Sequence, residues 1–205
     1  MSYYFTNNTG KAPNRKKITF RFLANLETFI SDDGVFSKDT LDFGSRALLE
    51  TIIEEPLTGS LLDLGCGIGY IGILLKKYHP DLSVTMADIN ETAVRLAEEN
   101  SRLYGQKNMV LVSDGFAGID DKFDIIVTNP PIRTGKANIY RLFAESMDHL
   151  KEKGIMYIVI RKRQGAESAV KYLETLGKTE IVDKVKGYWI ISVRKTAIDR
   201  LTKGC

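Results

Sequence analysis

The sequence predicts a doubly wound α/β domain, and three observations carry that prediction. From residue 60 onward, short apolar runs of strand length alternate with segments of helical spacing, the pattern of a parallel sheet covered on both faces by crossover helices. The first of these runs leads into a glycine-rich loop, Gly65-Cys66-Gly67-Ile68-Gly69, of the kind that opens a helix over a ligand. The C-terminal end breaks the alternation. Glu180–Lys186, Gly187 and Tyr188–Arg194 read as strand, turn and strand with no helix between them, so the last strand is expected to run antiparallel.

Taken in order, residues 1–15 mix Asn, Gly, Pro and charges without periodicity and read as a poorly ordered tail. A single domain is expected over 16–205, with a hairpin and helix over 16–58 and the sheet-forming core over 59–195. Ile18, Phe20 and Phe22 alternate, and a polar break at Asn25 precedes Thr28-Phe29-Ile30, which reads as the hairpin. Leu48, Leu49, Ile52 and Ile53 recur at helical spacing, and Pro56 stops that helix. Core strands are expected at Leu61–Leu64, Ser83–Ala87, Met109–Val112, Phe123–Val127 and Ile155–Ile160, with helices near 70–78, 91–104, 137–152 and 166–176. Asn90 fits an N-cap, and Gly105 and Gly154 fit helix stops.

Composition narrows the class. Of 205 residues 43% are hydrophobic and 27% charged, the balance of a soluble globular domain and not of a disordered chain. The net charge of +3 permits a polyanionic partner without demanding one. Cys66 and Cys205 are far apart, and His79 and His149 are the only histidines, so neither a disulfide framework nor a metal site is expected. The N-terminus has no apolar signal core, and no run reaches the ~20 apolar residues that span a bilayer. A cytoplasmic, reducing location is expected.

The glycine loop follows Asp63-Leu64. Gly67-Ile68-Gly69-Tyr70-Ile71-Gly72 also matches the dinucleotide pattern, so a nicotinamide cofactor has to be weighed. Against it stands Asp63, whose charge would repel a pyrophosphate but attract an ammonium group. S-adenosylmethionine, with an ammonium, a carboxylate and a sulfonium and no phosphate, suits the acidic loop better. Asp88, followed by Ile89, ends the second core strand, where a carboxylate accepts hydrogen bonds from ribose hydroxyls. Asp114-Gly115-Phe116 ends the third, and reads either as a plain turn or as an acceptor and aromatic face for an adenine.

The fourth strand leads into Thr128-Asn129-Pro130-Pro131-Ile132. Two prolines cannot continue a central strand, and each holds the residue before it extended. Asn129 and Pro130 are therefore fixed at the carboxyl edge of the sheet. An exocyclic base amine is a poor nucleophile because its lone pair is delocalised into the ring. The Asn129 side-chain oxygen and the Pro130 carbonyl can accept its two hydrogens and aim the lone pair at a methyl donor, so that positioning carries the chemistry.

These residues carry a resemblance. Asp63 to Gly69, Asp88 and Asn129-Pro130-Pro131-Ile132 resemble motifs of the class I S-adenosylmethionine-dependent methyltransferases that modify amino nitrogens. Asp33-Gly34-Val35-Phe36-Ser37 and Leu41-Asp42-Phe43-Gly44-Ser45 are similar to the N-terminal segment of the C-type guanine-N2 methyltransferases of small-subunit ribosomal RNA. The similarity covers roughly residues 18–195. It implies a seven-stranded Rossmann-like sheet with its last strand antiparallel, S-adenosylmethionine as cofactor, and guanine-N2 methylation of ribosomal RNA or of a ribosomal subunit. By that resemblance the cofactor residues are Asp63, Gly65, Cys66, Gly67, Gly69, Asp88, Ile89, Asp114, Gly115 and Phe116, and the catalytic group is Asn129, Pro130, Pro131 and Ile132. Members of that group often carry two tandem domains where this chain has one. The residue after the prolines is commonly aromatic, and here it is Ile132, so either an aliphatic contact suffices or Phe36 or Tyr140 stacks the base. Arg133 and Lys136 follow the motif and Arg161-Lys162-Arg163 the fifth strand, a basic rim for phosphates that Lys16, Lys17 and Arg21 would extend. Two alternatives remain: a glutamine-N5 protein methyltransferase, which shares the glycine loop and the Asn-Pro-Pro motif, and a non-catalytic RNA-binding or assembly factor.

Overall fold

The computed structural model describes residues 14–195. The expected tail lies, up to residue 13, outside the described residues, as do Cys205 and the side chain of Arg133. Asn14 donates to Asp33 at 2.6 Å and Arg15 pairs with Glu99 at 2.9 Å.

Strand β1 (Lys16–Phe22) and strand β2 (Asn25–Ser31) form the antiparallel hairpin, in a register from Lys16 opposite Ser31 to Phe22 opposite Asn25. The period-2 pattern buries Ile18, Phe20 and Phe22 on one strand and Glu27, Phe29 and Ser31 on the other. Phe29 packs on Tyr70 and Tyr104, with ring centroids 4.8 and 5.1 Å away. The buried Glu27 accepts from Lys77 Nζ at 2.6 Å and from the Tyr104 hydroxyl at 2.7 Å, so the hairpin enters the core with its carboxylate paired.

Helix α1 (Phe43–Ile52) starts well before the apolar spacing shows it, because Asp42 caps it: Asp42 Oδ1 accepts the Ser45 amide at 3.0 Å. The core then runs β3 (Ser60–Leu64), α2 (Tyr70–Tyr78), β4 (Ser83–Asp88), α3 (Glu91–Leu103), β5 (Met109–Val112) and β6 (Phe123–Thr128). It continues through α4 (Lys136–His149), β7 (Leu150–Arg161), α5 (Ala166–Leu173), β8 (Lys178–Val185) and β9 (Tyr188–Arg194). The seven core strands make one sheet in the order β5-β4-β3-β6-β7-β9-β8. β9 is antiparallel to both β7 and β8, while the pairs among β3 to β7 are parallel. This is the seven-stranded sheet with one reversed strand that the resemblance implies.

Two apolar layers hold the sheet. One joins the hairpin, α1, α2 and α3 to one face, and the other joins α4 and α5 to the opposite face. From β3 the chain steps outward through β4 to β5, then returns to place β6 on the other side of β3. That reversal opens a crevice at the carboxyl ends of β3 and β6, where open α/β sheets bind ligands.

Local signals vary in their outcome. Asn90 caps α3, accepting the Thr92 and Ala93 amides at 2.9 and 3.2 Å. Gly105, at φ +66°, ends α3 in the left-handed conformation, with the Gln106 amide reaching back to Ser101 O. Gly154 is a correction. Helix α4 ends at His149, and Gly154 lies inside β7 beside an irregularity that shifts the register between Phe123 and Ile125. A Cβ there would meet the Lys151 carbonyl at 2.9 Å and the Asp124 carbonyl at 3.2 Å, so the glycine serves backbone approach and not helix termination. The 137–152 pattern overran because Leu150 continues the apolar spacing of α4 while already paired as a strand opposite Phe123.

Candidate functional site

A cavity of about 510 Å³ occupies the crevice, within the range of roughly 300–1,000 Å³ usual for small-molecule sites. Its floor is the turn after β3. Gly65, Gly67 and Gly69 all have positive φ, at +74°, +55° and +90°. Open space lies over Gly65 and Gly67, with nothing within 4 Å of a Cβ placed there, and both line the cavity. Gly69 does something different: a Cβ would strike Ile73 Cδ1 at 2.8 Å, so that glycine lets α2 settle against the sheet. Gly72 likewise leaves room for Met86, whose Cγ and Sδ lie 2.9 Å from its notional Cβ.

The loop is held by the neighbouring strand. The Gly65 and Cys66 amides donate to Ala87 O at 2.8 and 3.0 Å. Asp88 completes the clamp, accepting the Gly67 amide on Oδ2 at 2.8 Å and the Asn90 amide on Oδ1 at 2.9 Å. Burial raises the Asp88 carboxyl above the ordinary carboxylate range, while those amides and that of Ile89 pull it back. Asp88 lines the cavity together with Ile89, Asp114 and Gly115.

Asp63 sits beneath this floor. It is 1% exposed and accepts the Gly72 amide on Oδ2 at 2.8 Å, while its Oδ1 has no hydrogen-bond partner among the described residues. Desolvation pushes its carboxyl up to about 7. The acidic residue that the sequence places on the cofactor is therefore under the loop and not on the cavity wall. Cys66 is also buried, and burial raises its thiol well above the ordinary value.

Phe116 is a correction. It is 7% exposed and stacks on His149, with ring centroids 4.2 Å apart, inside the apolar layer of α4. It is absent from the cavity wall, because the turn at Asp114 and Gly115 sends the following side chain back into the core. Tyr140 is a second correction. Its ring is stacked at 4.1 Å on Tyr172 and its hydroxyl donates to Ser168 O at 2.8 Å, away from the cavity. Phe36 does lie at the cavity and is 53% exposed.

The opposite wall is the chain leaving β6: Thr128, Asn129, Pro130, Pro131 and Ile132. Thr128 donates its hydroxyl to Leu64 O at 2.8 Å, tying this exit to the end of β3. The Asn129 side-chain nitrogen donates to Asp42 Oδ1 at 3.1 Å and to Ser45 Oγ at 3.0 Å. Asp42 and Tyr188 also line the cavity. The sequence carries a sign of Asp42, as a cap three residues before Ser45, but none of its reach to Asn129. Tyr188 follows a Lys-Gly turn and carries no sequence signal of its place.

The basic residues gather around the same edge. The Arg161 guanidinium lies 5.4 Å from the centre of the Tyr188 ring, and Lys186 Nζ 5.2 Å from that of Phe43. The Lys162 amide donates to Gly187 O at 2.7 Å, which joins the short 3-10 turn Lys162–Gln164 to the β8–β9 turn. Lys162 pairs with Glu167 at 3.5 Å, both well exposed. Arg161, Arg163 and Lys186 have no carboxylate ion partner among the described residues. Lys136 Nζ lies 5.1 Å from the centre of the Tyr140 ring. Lys16 is paired with Asp39 and Asp33. Among the described residues no group of three or more His, Cys, Asp or Glu side chains is placed to hold a metal ion, and no helix is long and apolar enough to cross a membrane.

Comparison with known proteins accords with this geometry. The family described as methyltransferase small domain matches residues 27–192. The uncharacterized protein YbxB of Bacillus subtilis is 42% identical over 197 residues, covering 94% of this chain and 98% of that protein. The ribosomal RNA small subunit methyltransferase C of Photorhabdus laumondii is 37% identical over 150 residues, covering 71% of this chain and 42% of that one. This chain spans about half the length, or less, of the curated relatives of that name. Among solved structures, the T. thermophilus 16S rRNA N2 G1207 methyltransferase in complex with AdoMet and guanosine superposes with a TM-score of 0.80 at 25% identity, over 89% of this chain and 51% of that one. The match over residues 27–192 takes in the glycine loop, the Asp88 strand end and the Asn-Pro-Pro exit alike, and the chain belongs to the methyltransferase small domain family.

Proposed function

We propose that this protein transfers a methyl group from S-adenosylmethionine to an exocyclic amine of a base in ribosomal RNA, with guanine N2 as the target. The observation that carries the reading is Asn129 on the cavity wall with its side-chain nitrogen held by Asp42 Oδ1 and Ser45 Oγ, which leaves its oxygen as the acceptor for a ligand.

The residues fit the cofactor. The open surface over Gly65 and Gly67 allows close approach to backbone, and Asp88, anchored by two amides, keeps acceptor capacity for ribose hydroxyls. Asp114 is an acceptor for an adenine amine, and Ile89 and Leu142 offer apolar surface to its ring. Asp63, with one oxygen unpartnered beneath the loop and its carboxyl raised to about 7 by burial, would be drawn to its ionised form by a cofactor ammonium above it. When bound, S-adenosylmethionine supplies an electrophilic methyl carbon on a sulfonium sulfur.

Asn129 Oδ1 and the Pro130 carbonyl accept the two hydrogens of the base amine. That turns the nitrogen lone pair out of conjugation and toward the methyl group. As the nitrogen–carbon bond formed, the methyl–sulfur bond would break with its electron pair on sulfur, and the surplus amine proton would pass to water. Both acceptors are fixed before the base arrives, so little reorganisation is needed at the moment of transfer. Ile132 and Phe36 are the contacts for the faces of the base. Arg161, Arg163, Lys136 and Lys186 hold flanking phosphates while the base is turned out of its stack. Their support of an RNA substrate lies in their arrangement: Arg161 and Lys186 rest on aromatic rings, which leaves their charge for an incoming polyanion.

The test is transfer of a labelled methyl group to ribosomal RNA, ribosomal subunits and peptide release factors in parallel. Label in N2-methylguanosine after nuclease digestion is the expected result. Label confined to a release-factor glutamine would replace this reading with the protein N5 reaction, and no transfer to any acceptor would leave a binding factor.

A further inference from the structure

The N-terminal segment does more than cover the core: it supplies both hydrogen-bond partners of the Asn129 side-chain nitrogen. We infer that Asp42 and Ser45, at the start of α1, are positioning residues that lock the Asn129 amide in one of its two flip states and thereby make the site selective for an amine. This rests on the proposed base-amine methylation and says what sets its donor–acceptor preference.

A carboxamide has two faces that differ by a half-turn, one presenting an acceptor and the other a donor. The surroundings of Asn129 allow only one. Asp42 Oδ1, 3.1 Å from the side-chain nitrogen, is a carboxylate oxygen that already receives the Ser45 amide and serves as an acceptor. Turning the amide over would set two oxygens against each other, so Nδ2 faces Asp42 and Oδ1 faces away. Ser45 Oγ, at 3.0 Å, takes the second hydrogen. With both donors engaged, Asn129 offers the cavity an acceptor. A substrate nitrogen bearing hydrogens is satisfied there, whereas a base carbonyl, which has only lone pairs to offer, is repelled.

Asp42 is itself held. Its Oδ1 accepts the Ser45 amide at 3.0 Å and its Oδ2 accepts the Ser37 hydroxyl at 3.1 Å, so the cap of α1 and the lock on Asn129 share one carboxylate. Gly44 gives the room for this. A Cβ at that position would stand 3.4 Å from Asn129 Nδ2 and 3.2 Å from both Asp42 Oδ1 and Tyr188 Cε1. Asp42 lines the cavity beside Asn129, and it and Ser45 act on the reaction by holding the Asn129 side-chain nitrogen.

The experiment compares Asp42→Ser, Asp42→Asn and Ser45→Ala in methyl transfer to RNA, with cofactor binding measured on the same preparations. Serine is a good helix cap but too short to reach Asn129, so Asp42→Ser keeps α1 and removes the lock. It should lower kcat by about 10–100-fold, as misplacement of a reacting group by about 1 Å does, with KM for RNA and cofactor Kd within about threefold of wild type. Ser45→Ala should lower kcat less, by about three- to tenfold, because Asp42 still dictates the flip state. Asp42→Asn retains an acceptor at the same place and should restore activity to within about fivefold of wild type. The inference is overturned if Asp42→Ser keeps full kcat, or if its loss is matched by Asp42→Asn, or if cofactor affinity and melting temperature fall together with activity. Wild-type protein that methylates no nucleic-acid amine would instead remove the proposed function, and the inference with it.

Discussion

One carboxylate of this protein clamps two backbone segments at once: Asp88 Oδ2 accepts the Gly67 amide at 2.8 Å and Asp88 Oδ1 accepts the Asn90 amide at 2.9 Å. The glycine loop and the start of α3 are thereby fixed to the end of β4, and the same side chain reaches the cavity wall. Under the proposed function, a ribose bound at Asp88 would be positioned by a group that is already immobile, which would lower the ordering cost of binding.

Replacement of Asp88 by alanine is therefore expected to weaken binding of S-adenosylhomocysteine by about 1.5–3 kcal/mol, the loss of hydrogen bonds to a charged acceptor. Calorimetry checks this. An affinity equal to that of wild type would assign Asp88 to the clamp alone.

Asn129→Ala separates catalysis from binding. Loss of one preorganised polar group at a reacting centre lowers rates by about 10²–10³. The expected outcome is a fall of that size in methyl transfer, with RNA affinity kept, since phosphate contacts supply most of it. Single-turnover kinetics on a folded variant, beside RNA binding at one salt concentration, reads both.

Asp63 gives a pH dependence whose sign follows from its burial. Its carboxyl is raised from 3.8 to about 7 in the folded protein, so folding favours the protonated form. Between those two values the folded state holds a proton that the unfolded state has released, and stability falls as pH rises through the window. A shift of that size corresponds to on the order of 4 kcal/mol. Asp63→Asn, which resembles the neutral carboxyl, should gain on wild type by a few kcal/mol from about pH 4 to about pH 7 and show no further gain above about pH 8. Urea unfolding across that range, in cofactor-free protein, measures the difference.

Charge reversal at Arg161 and Lys186 tests the rim. Each phosphate contact contributes about 0.7–0.9 to the slope of log K against log salt. The double variant Arg161→Glu, Lys186→Glu should bind RNA more weakly and reduce that slope by about 1.5, while cofactor affinity stays as it was. A salt slope equal to that of wild type would place the RNA path elsewhere.

The alternation of apolar runs and helical segments was sufficient to specify the doubly wound sheet, because strand and helix periods are written locally and the crossovers follow from them. The terminal strand–turn–strand was legible for the same reason: Gly187, at φ +80°, marks a tight turn wherever it occurs. The glycine loop, Asp88 and Asn129 could be placed at the carboxyl edge because each stands at or directly after the end of an apolar strand run, and Gly65, Gly67, Asp88 and Asn129 do line the cavity there. Long-range placement was not legible. Asp63 and Gly69 stand in the same motif as Gly67, yet the first is buried under the loop and the second packs against α2, since the pleat and the turn send neighbouring residues to opposite sides. Phe116 and Tyr140 are aromatic and near the motif in sequence, but each finds a ring partner in the core, His149 and Tyr172. Asp42 lies far from Asn129 along the chain, and only the packing of α1 against the sheet brings its carboxylate within 3.1 Å of that amide. Local periodicity determined the elements and the edge where the site forms. The tertiary structure decided which side chains face the cavity and which way the Asn129 amide is turned, because those depend on contacts between segments that no local pattern encodes.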